Sequence, residues 1–213
     1  PATHGITIAA HGAEHLAAHI EPGSAALVEA DPPWSYRRGI GVADPGLIYD
    51  CLSIADIRSH IAAAAPLAAP GSRLALWTTW PILAKIMEGG SIGRWRYVTG
   101  GSWHKLGGLG VGHHWRGHSE PLLVYRLPGA AGRPRETIRN AHATPDPIAH
   151  SEKPIEWLRQ IVRAWTDPGD LVVSLYAGRA PLAEACAIEE RRFYGCEPDP
   201  VRREHAIDRV RTV

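Results

Sequence analysis

Apolar and polar positions along the chain switch between two periods. Short apolar runs, bounded by glycine, proline and acidic residues, read as strands over Ile6–Ala9, Ala25–Ala30, Arg73–Thr78, Tyr97–His104, Pro121–Arg126, Leu171–Tyr176 and Arg192–Glu197. Segments with helical spacing lie between them. Ser53 is placed to cap a helix over Ile54–Ala65, with Asp56 in its first turn favouring the helix dipole. Pro154–Ala164 is amphipathic, and Thr166-Asp167-Pro168-Gly169-Asp170 forms the turn that ends it. Pro181 opens a further helix, and Asp199 before Pro200 starts a last one that runs to about Arg209. The alternation predicts an α/β sheet with helices on its faces, and no internal repeat interrupts it.

Three stretches rich in Gly, Pro and His read as long loops, at about 35–49, 105–118 and 129–150. Loops this long in a compact domain are usually functional or disordered. They gather at one sheet edge if strands 25–30 and 97–104 are near neighbours. At 213 residues with 45% hydrophobic and 21% charged residues, the chain reads as a single domain, 1–213, with one sizeable core. No run of about 18 apolar residues and no charged start before an apolar stretch appears, so the expectation is a cytoplasmic protein without a membrane partner.

The net charge of +1 does not announce a nucleic-acid binder, but its distribution is uneven. Residues 1–99 carry 7 Lys+Arg against 8 Asp+Glu, residues 100–165 carry 9 against 5, and residues 166–213 carry 7 against 9. Trp103, Trp115 and Tyr125 lie in the basic middle part, a composition suited to a basic surface with stacking groups. Cys51, Cys186 and Cys196 have no C-x-x-C spacing, which argues against a disulfide framework and a zinc ribbon. His113, His114 and His118 lack the helical spacing or cysteine partner of a metal site and read as loop histidines, so no metal is expected. Gly108-Leu109-Gly110-Val111-Gly112 is followed by no helix pattern and reads as a loop, not a dinucleotide turn.

The most specific chemistry follows the apolar run at 25–30. Asp31-Pro32-Pro33-Trp34 places an acid, two prolines and an aromatic at a strand end. Proline has no N–H and a fixed φ, so the carbonyls of Asp31 and Pro32 are left to accept hydrogen bonds in a rigid turn, while Trp34 can stack on a flat base. This turn resembles the target-base motif of adenine-N6 amino-methyltransferases, and its DPPW form resembles the family of the mRNA adenine-N6 writer, the MTA-seventy family. A second set of motifs follows: His150-Ser151-Glu152-Lys153-Pro154, a strand ending in Tyr176-Ala177-Gly178-Arg179, and a strand ending in Cys196-Glu197. Their order resembles the cofactor half of permuted amino-methyltransferases, and the resemblance spans about residues 25–200.

The resemblance implies a Rossmann-like, doubly wound, mostly parallel sheet with helices on both faces, the class I fold that binds S-adenosyl-L-methionine (AdoMet). It implies that Lys153 meets the methionine carboxylate and that Glu197 contacts the ribose hydroxyls. It places Asp31, His150, Ser151, Tyr176, Gly178, Arg179 and Cys196 around the cofactor as well. Asp31, Pro32, Pro33 and Trp34 would serve methyl transfer to adenine N6, in DNA more than in RNA. Tyr36, Arg37, Arg38, Lys105, His113, Trp115 and Arg116 would face the nucleic acid, and a homo- or heterodimer partner is left open. Ser174 stands where the family usually has an acid, and Arg179-Ala180 replace its usual Ser-Gly. The alternatives are a cofactor-degenerate nucleic-acid-binding partner subunit, and an enzyme acting on cytosine N4 or a small-molecule amine.

Overall fold

The apolar runs nearest the two ends of the chain pair at one edge of a single sheet. The structure, a computed structural model, describes residues 5–35, 51–105, 117–130, 134–142 and 152–213. Strands β1 (Ile6–Ala9), β9 (Arg192–Cys196), β8 (Leu171–Ser174), β2 (Ala25–Ala30) and β3 (Ala68–Trp77) lie parallel in that spatial order. Beyond β3 come β6 (Ser119–Arg126), β5 (Trp95–His104) and β4 (Ser91–Ile92), each antiparallel to the strand before it. A short β7 (Ala141–His142) pairs parallel with the end of β5. The expected α/β, mostly parallel sheet is thus present, with an antiparallel wing on one side.

Helices cover both faces because the central strands are apolar on both. On one face α1 (Ile54–Ala64) and α2 (Trp80–Ile86) pack Ile57, Ile61, Ile82 and Ile86 onto Val28, Leu74, Leu76 and Val173. On the other, α3 (Ile155–Trp165), α4 (Pro181–Ile188) and α5 (Pro200–Arg211) pack Leu158, Ile161, Leu182 and Ala206 with Leu27, Trp77 and Val172. The caps read from sequence are made: Ser53 Oγ accepts the Asp56 N–H at 3.1 Å, and the Asp199 carboxylate accepts the Arg202 N–H at 2.9 Å.

Two features depart from the sequence reading. β3 begins five residues earlier than expected, because its first half holds Pro70 and Gly71 and enters the sheet through a break in register between Ala25/Ala68 and Leu27/Arg73. Proline and glycine mark such irregular entries and hide them from a search for apolar runs. The second concerns the loops: strands 25–30 and 97–104 are not neighbours, since β3 and β6 lie between them. At the usual strand spacing this separates them by about 14 Å.

The chain order of the strands reverses between β8 and β2. From β2 it advances through α1 to β3 on one side, and from β8 through α4 to β9 on the other. Doubly wound sheets bind ligands in the crevice outside the carboxyl ends of the strands at such a switch point. The Asp31 turn ends β2 there, and the Tyr176–Gly178 turn ends β8 beside it.

Candidate active site

The parallel strands and β5 all end at one pole of the sheet, and antiparallel β6 begins there. This brings Asp31 after β2, Thr78–Trp80 after β3, Lys105 after β5, Glu120 at the head of β6 and Lys153 before α3 to the same end. Lys153 is their hub. Its side chain is 5% exposed, its Nζ lies 2.7 Å from Asp31 Oδ2 and 3.2 Å from Glu120 Oε2, and it sits 4.9 Å from the centre of the Trp77 ring. Lys105 pairs with the same Glu120 and lies over the Trp103 ring at 4.6 Å.

Buried charge of this kind is tolerated only when paired and hydrogen-bonded. Burial would lower the pKa of Lys153, but Asp31 and Glu120 together hold it above the ordinary lysine range. Burial also lifts the Asp31 carboxyl above its usual value, against the pull of Lys153, although a third of its side chain stays exposed. At Glu120 burial acts in the same upward direction, and the two lysines outweigh it and hold the pKa below the usual carboxylate range. The site therefore brings two acidic side chains together with two lysines.

The DPPW turn has the backbone geometry its prolines predict. Among the described residues the Asp31 and Pro32 carbonyls accept no backbone hydrogen bond, whereas the Pro33 carbonyl takes the Leu52 N–H at 3.0 Å. Trp34, expected to clamp a base, is 5% exposed and packed in the core on the α1 face. Among the described residues, Trp80 at this pole is an exposed aromatic, with 51% of its surface open. Its Nε1 donates to Ser119 Oγ at 3.1 Å, next to Glu120.

Beside this cluster lies a second one at the ends of β8 and β9. Gly178 has φ +56, and a Cβ added there would meet nothing within 4 Å, so the turn faces open space. Glu197 directly follows β9, its carboxylate oxygen accepting the Asp199 N–H at 2.9 Å, and burial raises its pKa. The Tyr176 hydroxyl is 2.9 Å from His60 Nδ1 of α1, which fixes the aromatic that follows β8. Cys196 is buried, and burial lifts its thiol pKa to about 12, so it lines the turn without reactivity of its own. Ala180 adopts a left-handed φ of 54 at the start of α4, where a glycine would be unstrained; its methyl is buried at 1% and its packing offsets the strain.

Arg179 turns towards Glu152, 3.9 Å from Nε to Oε2. Glu152 is itself paired with Arg209, and Arg209 with Glu184 at 2.6 Å. Of the residues proposed from sequence, Asp31 and Lys153 meet directly, Lys105 joins them through Glu120, and Gly178, Tyr176, Cys196 and Glu197 line the neighbouring turns. Tyr36, Arg37, Arg38, His113, Trp115, Arg116, His150 and Ser151 lie outside the described residues. Glu120 and Trp80 were not found by sequence reasoning. The signal for Glu120 was available, an acid heading an apolar strand just as Asp31 follows one. Among the described residues no three His, Cys, Asp or Glu side chains gather as metal ligands would, and no helix is long and apolar enough to cross a membrane.

No protein-family model matches the chain. It is 32% identical over 98 residues to the type II methyltransferase M.HhaII of Haemophilus parahaemolyticus, which is 42% of this chain and 41% of that protein. It is also 32% identical over 79 residues to the type II methyltransferase M.Cfr9I of Citrobacter freundii, 37% of this chain and 26% of that one. The matched stretches thus span less than half of either relative. Solved structures match nearly the whole chain. M1.HpyAVI in complex with SAM superposes with a TM-score of 0.72 at 16% identity, over 96% of this chain and 98% of that one. TTHA0409 of Thermus thermophilus, also complexed with S-adenosyl-L-methionine, gives 0.73 at 19% identity over 96% and 93%. The PvuII DNA methyltransferase, cytosine-N4-specific, gives 0.71 at 12% identity over 96% and 86%. The chain has the fold of the class I AdoMet-dependent methyltransferases and is a distant homologue of type II methyltransferases over the matched stretch.

Proposed function

We propose that this chain is an AdoMet-dependent methyltransferase acting on the exocyclic N6 of adenine in nucleic acid, with DNA the favoured substrate over RNA. The observation that carries the reading is the Asp31-Pro32 turn, held by buried Lys153 at the strand-order switch point, next to the open Gly178 turn and Glu197. DNA is favoured because the matched relatives are type II methyltransferases and the PvuII enzyme is a DNA methyltransferase. The chain works as one methyltransferase domain whose loops at about 35–49, 105–118 and 129–150 face the substrate.

The residues present fit the cofactor at its adenosine end. A carboxylate can accept from two hydroxyls at once, so Glu197 suits the ribose, and the glycine turn lets a ligand approach the backbone. Bound AdoMet would supply an electrophilic methyl group. The resemblance assigns Lys153 to the methionine carboxylate, yet its ammonium is here engaged by Asp31 and Glu120, so its first task is to hold the Asp31 carboxylate in place and ionised. Asp31 and the Pro32 carbonyl then accept the two hydrogens of the adenine amino group and stabilise the positive charge that develops on nitrogen. The rest of the gain is positioning. The proton of the methylated amine leaves afterwards, to Asp31 or water.

Cytosine N4 is the second reading, favoured by the comparable fit of the cytosine-N4-specific PvuII enzyme. The acid in DPPW, where a serine would stand in an S-P-P-aromatic turn, supports adenine. The test is methyl transfer from labelled AdoMet to single-stranded and duplex DNA and RNA, with the modified base identified after hydrolysis. N6-methyladenine supports the reading and N4-methylcytosine replaces it. AdoMet binding without transfer to any of them favours the degenerate partner subunit.

A further inference from the structure

Glu29 is an acid at the centre of the sheet that the mechanism leaves unused. It is 6% exposed, on the same strand face as Asp31 two residues on. It sits in register with Ser174 of β8, whose Oγ donates to Glu29 Oε2 at 2.6 Å, and its backbone carbonyl accepts the Leu175 N–H at 3.0 Å. The carboxyl thus occupies the space in front of position 174, where the resemblance expects an acid and this chain has serine. The acid has moved one strand across.

The charge balance of the site shows what such an acid can do. The groups facing Glu29 are Asp31 on its own strand, Lys153 before α3, the Trp77 indole from β3 and the Cys186 thiol from α4. Beyond Lys153 stand Glu120 and Lys105. Asp31 and Glu120 already balance the two lysines, which leaves Glu29 neutral, and burial beside Asp31 lifts its pKa to about 8. AdoMet carries one carboxylate, one ammonium and one sulfonium, a net single positive charge. Among the groups around Glu29 that charge has no counterpart, and a charge buried without one is costly.

We propose that Glu29 is the positioning acid for the cofactor's charge: on AdoMet binding its carboxyl releases its proton to solvent, and the carboxylate, held by the Ser174 hydroxyl, balances the added cation. The inference rests on the proposed AdoMet site. S-adenosylhomocysteine has lost the sulfonium and is neutral overall, so it binds without releasing that proton.

Titration calorimetry at pH 7 in phosphate and in Tris reads proton release directly, because the two buffers take up protons with different heats. The wild-type chain is expected to release up to one proton with AdoMet and none with S-adenosylhomocysteine. Glu29→Gln should abolish the release and weaken AdoMet by about tenfold or more, the loss of one close charge pair inside a protein. Its affinity for S-adenosylhomocysteine should change little, which also verifies that the variant is folded. The exchange variant Glu29→Ser with Ser174→Glu should recover the release. Equal heats for AdoMet in both buffers, or a proton still released by Glu29→Gln, overturn the inference while leaving the AdoMet site intact. Binding of neither nucleoside overturns the site itself, and the inference with it.

Discussion

Lys153 Nζ and Asp31 Oδ2 lie 2.7 Å apart although 122 residues separate them in the chain. The pair joins the turn that ends β2 to the entry of α3, so the Asp31 turn and the Lys153–Pro154 entry form one charged unit. Glu120 extends that unit to β6. Each member holds another, and the consequences of removing them differ.

Asp31→Ala should abolish methyl transfer and leave the chain folded. Lys153 keeps Glu120 as its partner in that variant, and the Asp31 side chain is a third exposed. Circular dichroism and a labelled-methyl assay check the two halves of the expectation. Substantial residual transfer would remove Asp31 from the proposed role.

Lys153→Met should act on stability as strongly as on activity. It removes the ammonium that bridges Asp31 and Glu120 and leaves Lys105, on Glu120, as their remaining cation, and breaking a buried pair from one side costs about 3–5 kcal/mol. Urea unfolding measures this. The deficit should shrink below about pH 4, where carboxylates protonate. A loss under about 1 kcal/mol would mean that water replaces the lysine and that the site is wetter than its burial indicates.

Much of this site could be read before the fold was known, and the reasons are local. A strand followed by D-P-P-W, a glycine turn after an apolar run and an acid after another are contiguous signals, and the caps at Ser53 and Asp199 depend on neighbours within one turn. Glu120 and Lys153 are joined only by the antiparallel wing, and nothing within reach of either residue records that wing. The Pro70–Gly71 break at the head of β3 hid half of a strand for the same reason that it bends one. Trp34 and Trp80 differ in exposure by tenfold, but tryptophan in a motif does not state which side of its strand meets the core.

Stability should fall as pH rises through the range in which Glu29 ionises. Its folded pKa, about 8, lies above its unfolded value of 4.5, so the folded state holds a proton that the unfolded state gives up between those limits. The contribution is fully present below about pH 4.5 and is lost as pH passes 8. The raised pKa values of Asp31 and Glu197 act with the same sign, and the lowered one of Glu120 acts the other way at lower pH. Thermal melts from pH 5 to 9 should show a decline that Glu29→Gln flattens. Parallel curves for the two proteins would show that Glu29 is equally protonated in the folded and unfolded chains.

Trp34→Ala and Trp80→Ala should separate folding from substrate binding. Trp34 is enclosed by the α1-face core, so truncating it should cost about 3–5 kcal/mol of stability. Trp80 is half exposed, and among the described residues its Nε1 donates to Ser119, on the opposite face of β6 from Glu120, so its loss should leave the urea midpoint almost unchanged. If a nucleobase next to the target stacks on that ring, single-stranded DNA affinity should drop by about 1–3 kcal/mol, the usual worth of one base on an aromatic. Fluorescence anisotropy with a labelled oligonucleotide measures it, at fixed salt because the phosphate contribution varies with salt. Unchanged affinity in Trp80→Ala, with lost affinity in a Trp34→Ala protein shown to be folded, would return the stacking role to the DPPW turn and require that turn to open when substrate binds.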